Sequence, residues 1–123
     1  MKTVGSGSFQ VAELADMVAQ ARAADGYAGE VLRSDLLSVG LYLLQAGATD
    51  DQSPHNEDEV YYAISGRAKL RVGEQDHAVQ PGTLLFVPAL AVHLFHDIEE
   101  ELVLVVFWAP PEKSVQPKRP PRS

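Results

Sequence analysis

The densest run of side chains able to do chemistry is Asp50-Asp51-Gln52-Ser53-Pro54-His55-Asn56-Glu57-Asp58-Glu59. Side chains of an extended segment alternate between two faces. Ser53, His55, Glu57 and Glu59 therefore share one face, and Pro54 supports the extended reading by disfavouring helical geometry at Ser53. A neutral imidazole beside a hard carboxylate oxygen suits a divalent metal ion. The same residues also read as an ordinary acidic surface loop. A second candidate segment is PGTLLFVPALAVHLFHD, residues 81–97. If TLLFV is a strand ended by Pro88, the next strand puts His93, Phe95 and Asp97 on one face and Leu94 and His96 on the other. His93 then points inward with Phe95. His96 points outward, and His77, next to the turn GEQD, is expected at the surface.

Four histidines and no cysteine narrow the chemistry. A disulfide scaffold, a thiolate-bound zinc, an iron–sulfur cluster and a cysteine nucleophile are excluded. The chain has 123 residues, enough for one domain with one core and a modest pocket. It carries a net charge of −7, which opposes binding to a phosphate backbone. The N-terminus does not read as a signal peptide, and no stretch approaches the ~18 apolar residues of a membrane span. A cytoplasmic protein is expected.

The elements that must position these residues are short strands. FQVAELADMVAQARAA, residues 9–24, reads as a helix capped by Ser8 and stopped at Gly26, with Val11, Leu14, Ala15, Val18 and Ala21 or Arg22 on its apolar repeat. From Glu30 the pattern changes to GEVLRSD, LLSVGLYLLQ, EVYYAIS and AKLRVG, with breaks at 47–54, Gly66, 73–76, 80–82 and 88–91. Such spacing predicts an all-β sandwich or barrel. ELVLVVFWA is continuously apolar and suits a strand buried on both faces, so only one of Phe107 and Trp108 can line the interior. The expected organisation is an N-terminal helical segment over 1–27, a barrel over 28–111, and a mobile Pro-rich basic tail over 112–123. Arg67, Lys69 and Arg71 share one strand face, either solvated or a clamp for a substrate carboxylate or phosphate.

The two polar segments together resemble the cupin superfamily. Its first motif, G-x5-H-x-H-x3,4-E-x6-G, is matched in spacing by Gly47, Ser53, His55, Glu59 and Gly66. Its second, G-x5-P-x-G-x2-H-x3-N, is matched in spacing by Gly82, Pro88, Leu90, His93 and Asp97. Identity departs at Ser53, Leu90 and Asp97. The resemblance covers roughly residues 36–109 and implies a double-stranded β-helix, the jelly-roll barrel. It also implies one divalent metal held by His55, Glu59 and His93, with Ser53 in place of a fourth ligand. Two imidazoles and a carboxylate with open positions favour Fe(II), while Zn, Ni or Mn would also be accommodated.

Glu57 has the phase of His55 and Glu59. It is a further donor, a general base beside the metal, or a solvent-facing residue. Phase places Tyr61 behind Glu59, and Glu57 and Tyr61 are the candidates for handling protons. Ser53, Tyr42, Phe86 and Phe95 are the expected pocket lining, with Leu85 the alternative to Phe86, and would favour a small, partly apolar organic substrate. The implied function is a metal-dependent enzyme, foremost an Fe(II) oxygenase. A non-redox lyase or isomerase, or a non-catalytic small-molecule binder, is the alternative. A homodimer is expected, with neither nucleic acid nor membrane as partner.

Overall fold

The computed structural model describes residues 8–50 and 55–112. Helix α1 spans Leu14–Ala23 and is followed by six strands: β1 (Tyr27–Arg33), β2 (Ser38–Leu44), β3 (Asp58–Val72), β4 (Gln75–Val79), β5 (Leu84–Val87) and β6 (His93–Ala109). All pairings are antiparallel, in the order β1-β2-β6-β3-β4, with β5 on β3. β3 and β6 are the long strands that span the roll, and the other four extend them at either edge. This is the all-β jelly roll with one short helix that the resemblance implies.

Alternation sorts the apolar residues into two clusters. Leu102, Leu104, Val106 and Trp108 of β6 face inward with Tyr61, Ala63, Leu70, Val79, Val87 and Phe95. Val103, Val105 and Phe107 face the other way and pack with Leu41, Leu43, Met17 and Ala21. β6 is thus covered on both faces over this stretch, as its unbroken apolar run predicts, and Trp108 rather than Phe107 is the interior residue.

Several expectations need correction. The helix begins at Leu14, behind Glu13 as an N-cap without a side-chain cap bond, and not at Ser8. The residues ahead of it are drawn to the sheet edge. The Gln10 amide donates to the Arg33 carbonyl at 2.5 Å, and its oxygen accepts from Arg33 N at 2.9 Å. The buried helix positions are Met17 and Ala21, one turn apart, while Val11 and Leu14 are exposed.

Gly66 does not end a strand. It lies inside β3 at a bulge, with φ +100°, and a Cβ there would collide with the Glu101 carbonyl. The bulge needs a residue with no side chain in a left-handed conformation, which resembles a turn signal in sequence. Phe86 points outward and is 63% exposed. Its neighbours Leu85 and Val87 take the inner face opposite Tyr61 and Glu59, so Leu85 is the core residue of the pair. Asp97 does not share the face of His93 and Phe95. Its φ of +49° breaks the alternation and turns Ile98 inward instead. Glu112, at the start of the expected tail, is buried beneath the Tyr27 hydroxyl, and its backbone N–H donates to Ser38 Oγ. Residues 113–123 lie outside the described residues, as does Ser53. No helix among the described residues is long and apolar enough to cross a membrane.

Candidate functional site

Glu59 is the centre of a polar cluster on the inner face of β3. Its side chain is 1% exposed. Glu59 Oε1 lies 3.1 Å from His93 Nε2, and Glu59 Oε2 accepts a hydrogen bond from Trp108 Nε1 at 2.9 Å. His93 and Trp108 stand at opposite ends of β6. A straight strand would separate them by roughly 50 Å. Both reach one carboxylate because the strand curls around the roll, helped by register shifts against β3 between Arg67 and Lys69 and by the left-handed turn at Asp97.

His55 closes the other side. Its Nε2 is 3.8 Å from Glu59 Oε2, and its Nδ1 is 3.8 Å from Glu57 Oε1. His55 Nε2 is buried and makes no hydrogen bond among the described residues. The imidazoles of His55 and His93 have ring centres 6.1 Å apart. The 88–91 turn fixes the His55 segment from outside. Leu90 N–H donates to the His55 carbonyl at 2.7 Å, and Ala89 N–H donates to Asp58 Oδ1 at 2.9 Å. Leu90 sits at φ +69°, a region hostile to branched side chains, which explains why glycine belongs at this motif position. Asp97, the motif's other departure in this segment, also occupies left-handed backbone, where asparagine and aspartate are tolerated.

The His93 ring is oriented from behind. Its Nδ1–H donates to the Ala91 carbonyl at 2.9 Å, leaving Nε2 as the inward nitrogen. The Tyr61 hydroxyl stands 3.1 Å from that Nε2. Burial lowers the His93 pKa, but the Glu59 carboxylate and the Ala91 carbonyl outweigh it and leave the group above its ordinary value. A lone pair facing a carboxylate at this range is relieved by a proton on the ring or by a cation between the two. Burial first, and the Glu59 charge second, push the Tyr61 phenol far upward, so it stays protonated and donates. Asp50, also buried, accepts from Phe95 N–H at 2.8 Å and steadies β6 two residues beyond His93.

The structure therefore brings together His55, Glu57, Glu59, Tyr61 and His93. Glu57 is buried and turned toward His55, not toward solvent. Phe95 packs edge-on against Tyr61 with ring centres 5.1 Å apart, and Tyr42 stacks on Tyr61 at 6.3 Å, so both back the cluster. Phe86 is not part of it. Among the described residues, no three His, Asp or Glu side chains are placed closely enough to hold a metal ion as they stand. Arg67, Lys69 and Arg71 lie far from this chemistry on the exposed face, paired with Gln80, Asp97 and Asp76. His77 is exposed and His96 is half-buried on the outer face beside Asp76, as alternation predicts.

Sequence reasoning missed Trp108 as a partner of Glu59 and Asp50 as a brace of β6. The Glu59–Trp108 contact follows from the β3–β6 register, which places the two directly opposite. No local pattern carries that register, and nothing in the acidic run separates Asp50 from Asp51.

Known proteins share this fold. Residues 40–110 match the Cupin domain family. An uncharacterized protein of Streptomyces coelicolor is 46% identical over 99 residues, covering 80% of this chain and 94% of that one. The crystal structure of TT1209 from Thermus thermophilus superposes with a TM-score of 0.67 at 28% identity, covering 83% of this chain and 98% of that one. The DMSP lyase DddQ from Ruegeria pomeroyi shares the fold with a TM-score of 0.64 at 21% identity, over 77% of this chain and 52% of that one. With both motif segments folded onto one inner-face cluster and the family match spanning more than half of its length, the chain belongs to the cupin family.

Proposed function

We propose that this cupin is a metal-dependent enzyme acting on a small organic molecule, with His55, Glu59 and His93 as the ligands of one divalent ion. The observation that carries the reading is the buried His55 Nε2, which has no hydrogen-bond partner among the described residues and faces the Glu59–His93 pair. The donor chemistry fits, because imidazole nitrogen and carboxylate oxygen are the ligands such ions take. The Ala91 carbonyl behind His93 is the outer partner that metal-binding imidazoles use to fix the ring. The Glu59 carboxylate stands between the two imidazoles, with Oε1 3.1 Å from His93 Nε2 and Oε2 3.8 Å from His55 Nε2.

When bound, the ion would supply a Lewis-acidic centre with open positions, and two imidazoles with one carboxylate favour Fe(II) and oxygenase chemistry. The chain's own residues contribute proton handling and shape. Tyr61 presents a protonated hydroxyl next to His93 Nε2, while Glu57 places a carboxylate beside His55. An acid–base pair around the ligands favours a second reading, a non-redox lyase or isomerase, and one protein of the same fold is named a DMSP lyase. Tyr42, Tyr61 and Phe95 wall the cluster with aromatic surface, which suits a partly apolar substrate. The same reading takes the protein as a cytoplasmic homodimer, and the exposed Leu36, Leu84 and Phe86 offer apolar surface for the pairing.

Elemental analysis of protein purified without chelator or added metal tests the site. We expect one equivalent of metal, lost in His55→Ala and in His93→Ala. Iron together with oxygen consumption supports the oxygenase, and turnover that persists without oxygen supports the non-redox reading. Absence of metal, and none taken up on titration, overturns both in favour of a metal-free binder.

A further inference from the structure

Trp108 is the chain's single tryptophan, and neither the proposed ligand set nor the proton-handling pair includes it. Its indole is fully buried, yet its one polar atom is spent on the Glu59 carboxylate at 2.9 Å. The indole cannot drift. Tyr27 meets it edge-on with ring centres 6.3 Å apart, and a Cβ on Gly40 would already stand 3.0 Å from the ring. Trp108 also faces Glu59 directly across the β3–β6 ladder, so backbone pairing sets the approach. The bond leaves one Glu59 oxygen toward each imidazole, Oε1 at 3.1 Å from His93 Nε2 and Oε2 at 3.8 Å from His55 Nε2.

We infer that Trp108 is a positioning residue for the metal site: its N–H fixes the rotation of the Glu59 carboxylate between His55 and His93. The inference rests on the proposed ligand set. Buried polar oxygens are met by donors, and a donor that packing holds in place selects one rotation of the group it meets. Without the indole N–H, Glu59 rotates more freely and holds its oxygens less firmly toward the two imidazoles. Outer partners of this kind typically change metal affinity by about 10–100-fold.

The test is a Zn²⁺ titration of the whole chain, read by affinity and by the single indole N–H resonance in ¹⁵N-labelled protein. We expect that resonance to move in step with the first equivalent of Zn²⁺ in the wild type and to stay still in Glu59→Gln. Trp108→Phe, which keeps an aromatic ring but has no N–H, should bind Zn²⁺ about 10–100-fold more weakly. Leu104→Ala, a core lesion on the same inner face four residues before Trp108, should bind as the wild type does. If the wild type takes up one equivalent and Glu59→Gln loses it, yet the indole resonance does not move and Trp108→Phe binds as tightly, Trp108 only packs and the inference fails while the ligand set stands. If the wild type binds no Zn²⁺, the ligand set and the role of Trp108 fall together. Should Trp108→Phe fail to fold, the indole resonance decides alone.

Discussion

The inner and helix-side faces of the sheet are made from alternate residues of the same strands, and they are built for different ends. On β6, Val103, Val105 and Phe107 meet Leu41, Met17 and Ala21 across an entirely apolar seam. One residue along, Leu102, Leu104, Val106 and Trp108 face a core that also holds buried Asp50, Glu57, Glu59 and His93. The helix-side face is stabilised by area removed from water, which tolerates changes of shape as long as volume is kept. The inner face must keep every polar group partnered, because an unmet buried donor or acceptor costs more than a made bond contributes. The difference separates what holds the barrel together from what it holds.

Leu41→Ala should produce the largest effect on stability, a loss of about 2–5 kcal/mol in denaturant unfolding, since the side chain is fully buried between β1 and β6. Zn²⁺ or Fe²⁺ affinity of the folded variant should not change. A parallel loss of metal affinity would show that the two faces are coupled and would break the comparison. Tyr61→Phe is the inner-face counterpart. It removes one hydroxyl from His93 and nothing from the packing with Phe95 and Tyr42. The expected stability change is only about 0.5–1.5 kcal/mol. Metal content should be retained while any turnover falls, on the order of 10²–10⁴-fold for a lost proton donor. A stability loss as large as that of Leu41→Ala would mean that Tyr61 acts chiefly as a core residue.

The sequence is informative where chemistry and spacing coincide. His55, Glu59 and His93 are placed by motif spacing and converge in the structure, because two-residue periodicity decides which face each occupies. Periodicity misleads where the backbone leaves regular strand geometry. Asp97 turns outward at φ +49°, and Gly66 hides a bulge inside a strand that the sequence divides in two. Phe86 and Leu85 show a subtler limit. Both are apolar and adjacent, so only the register of β5 on β3 tells which one is inside. The helix start is displaced for a tertiary reason: Gln10 pairs with the backbone of Arg33, and that edge contact overrides the helical pattern ahead of Leu14. The Glu59–Trp108 bond joins residues 49 positions apart and has no local signature at all.

The outer surface of the same strands supplies the smallest effect and the sharpest control. Asp76 on β4 receives Arg71 Nε at 2.9 Å and Arg71 Nη2 at 3.1 Å from β3, and His96 Nε2 lies 3.0 Å away on β6. Asp97 and Lys69 complete the charged surroundings. The Arg71 hydrogen bonds, and then that of His96, draw the Asp76 carboxyl down from 3.8 to about 2. A depressed folded-state pKa stabilises the protein above the unfolded value and stops doing so as pH falls through the folded value. The contribution should therefore be present above about pH 4 and vanish toward pH 2, and its size is small because the pair is solvated. Asp76→Asn should unfold slightly earlier than the wild type at pH 7, with the gap closing as the pH approaches 2 in a series of denaturant titrations, and with metal content unchanged throughout. A gap that stays constant across that range would assign Asp76 to packing, and a change in metal content would tie the solvated face to the inner one.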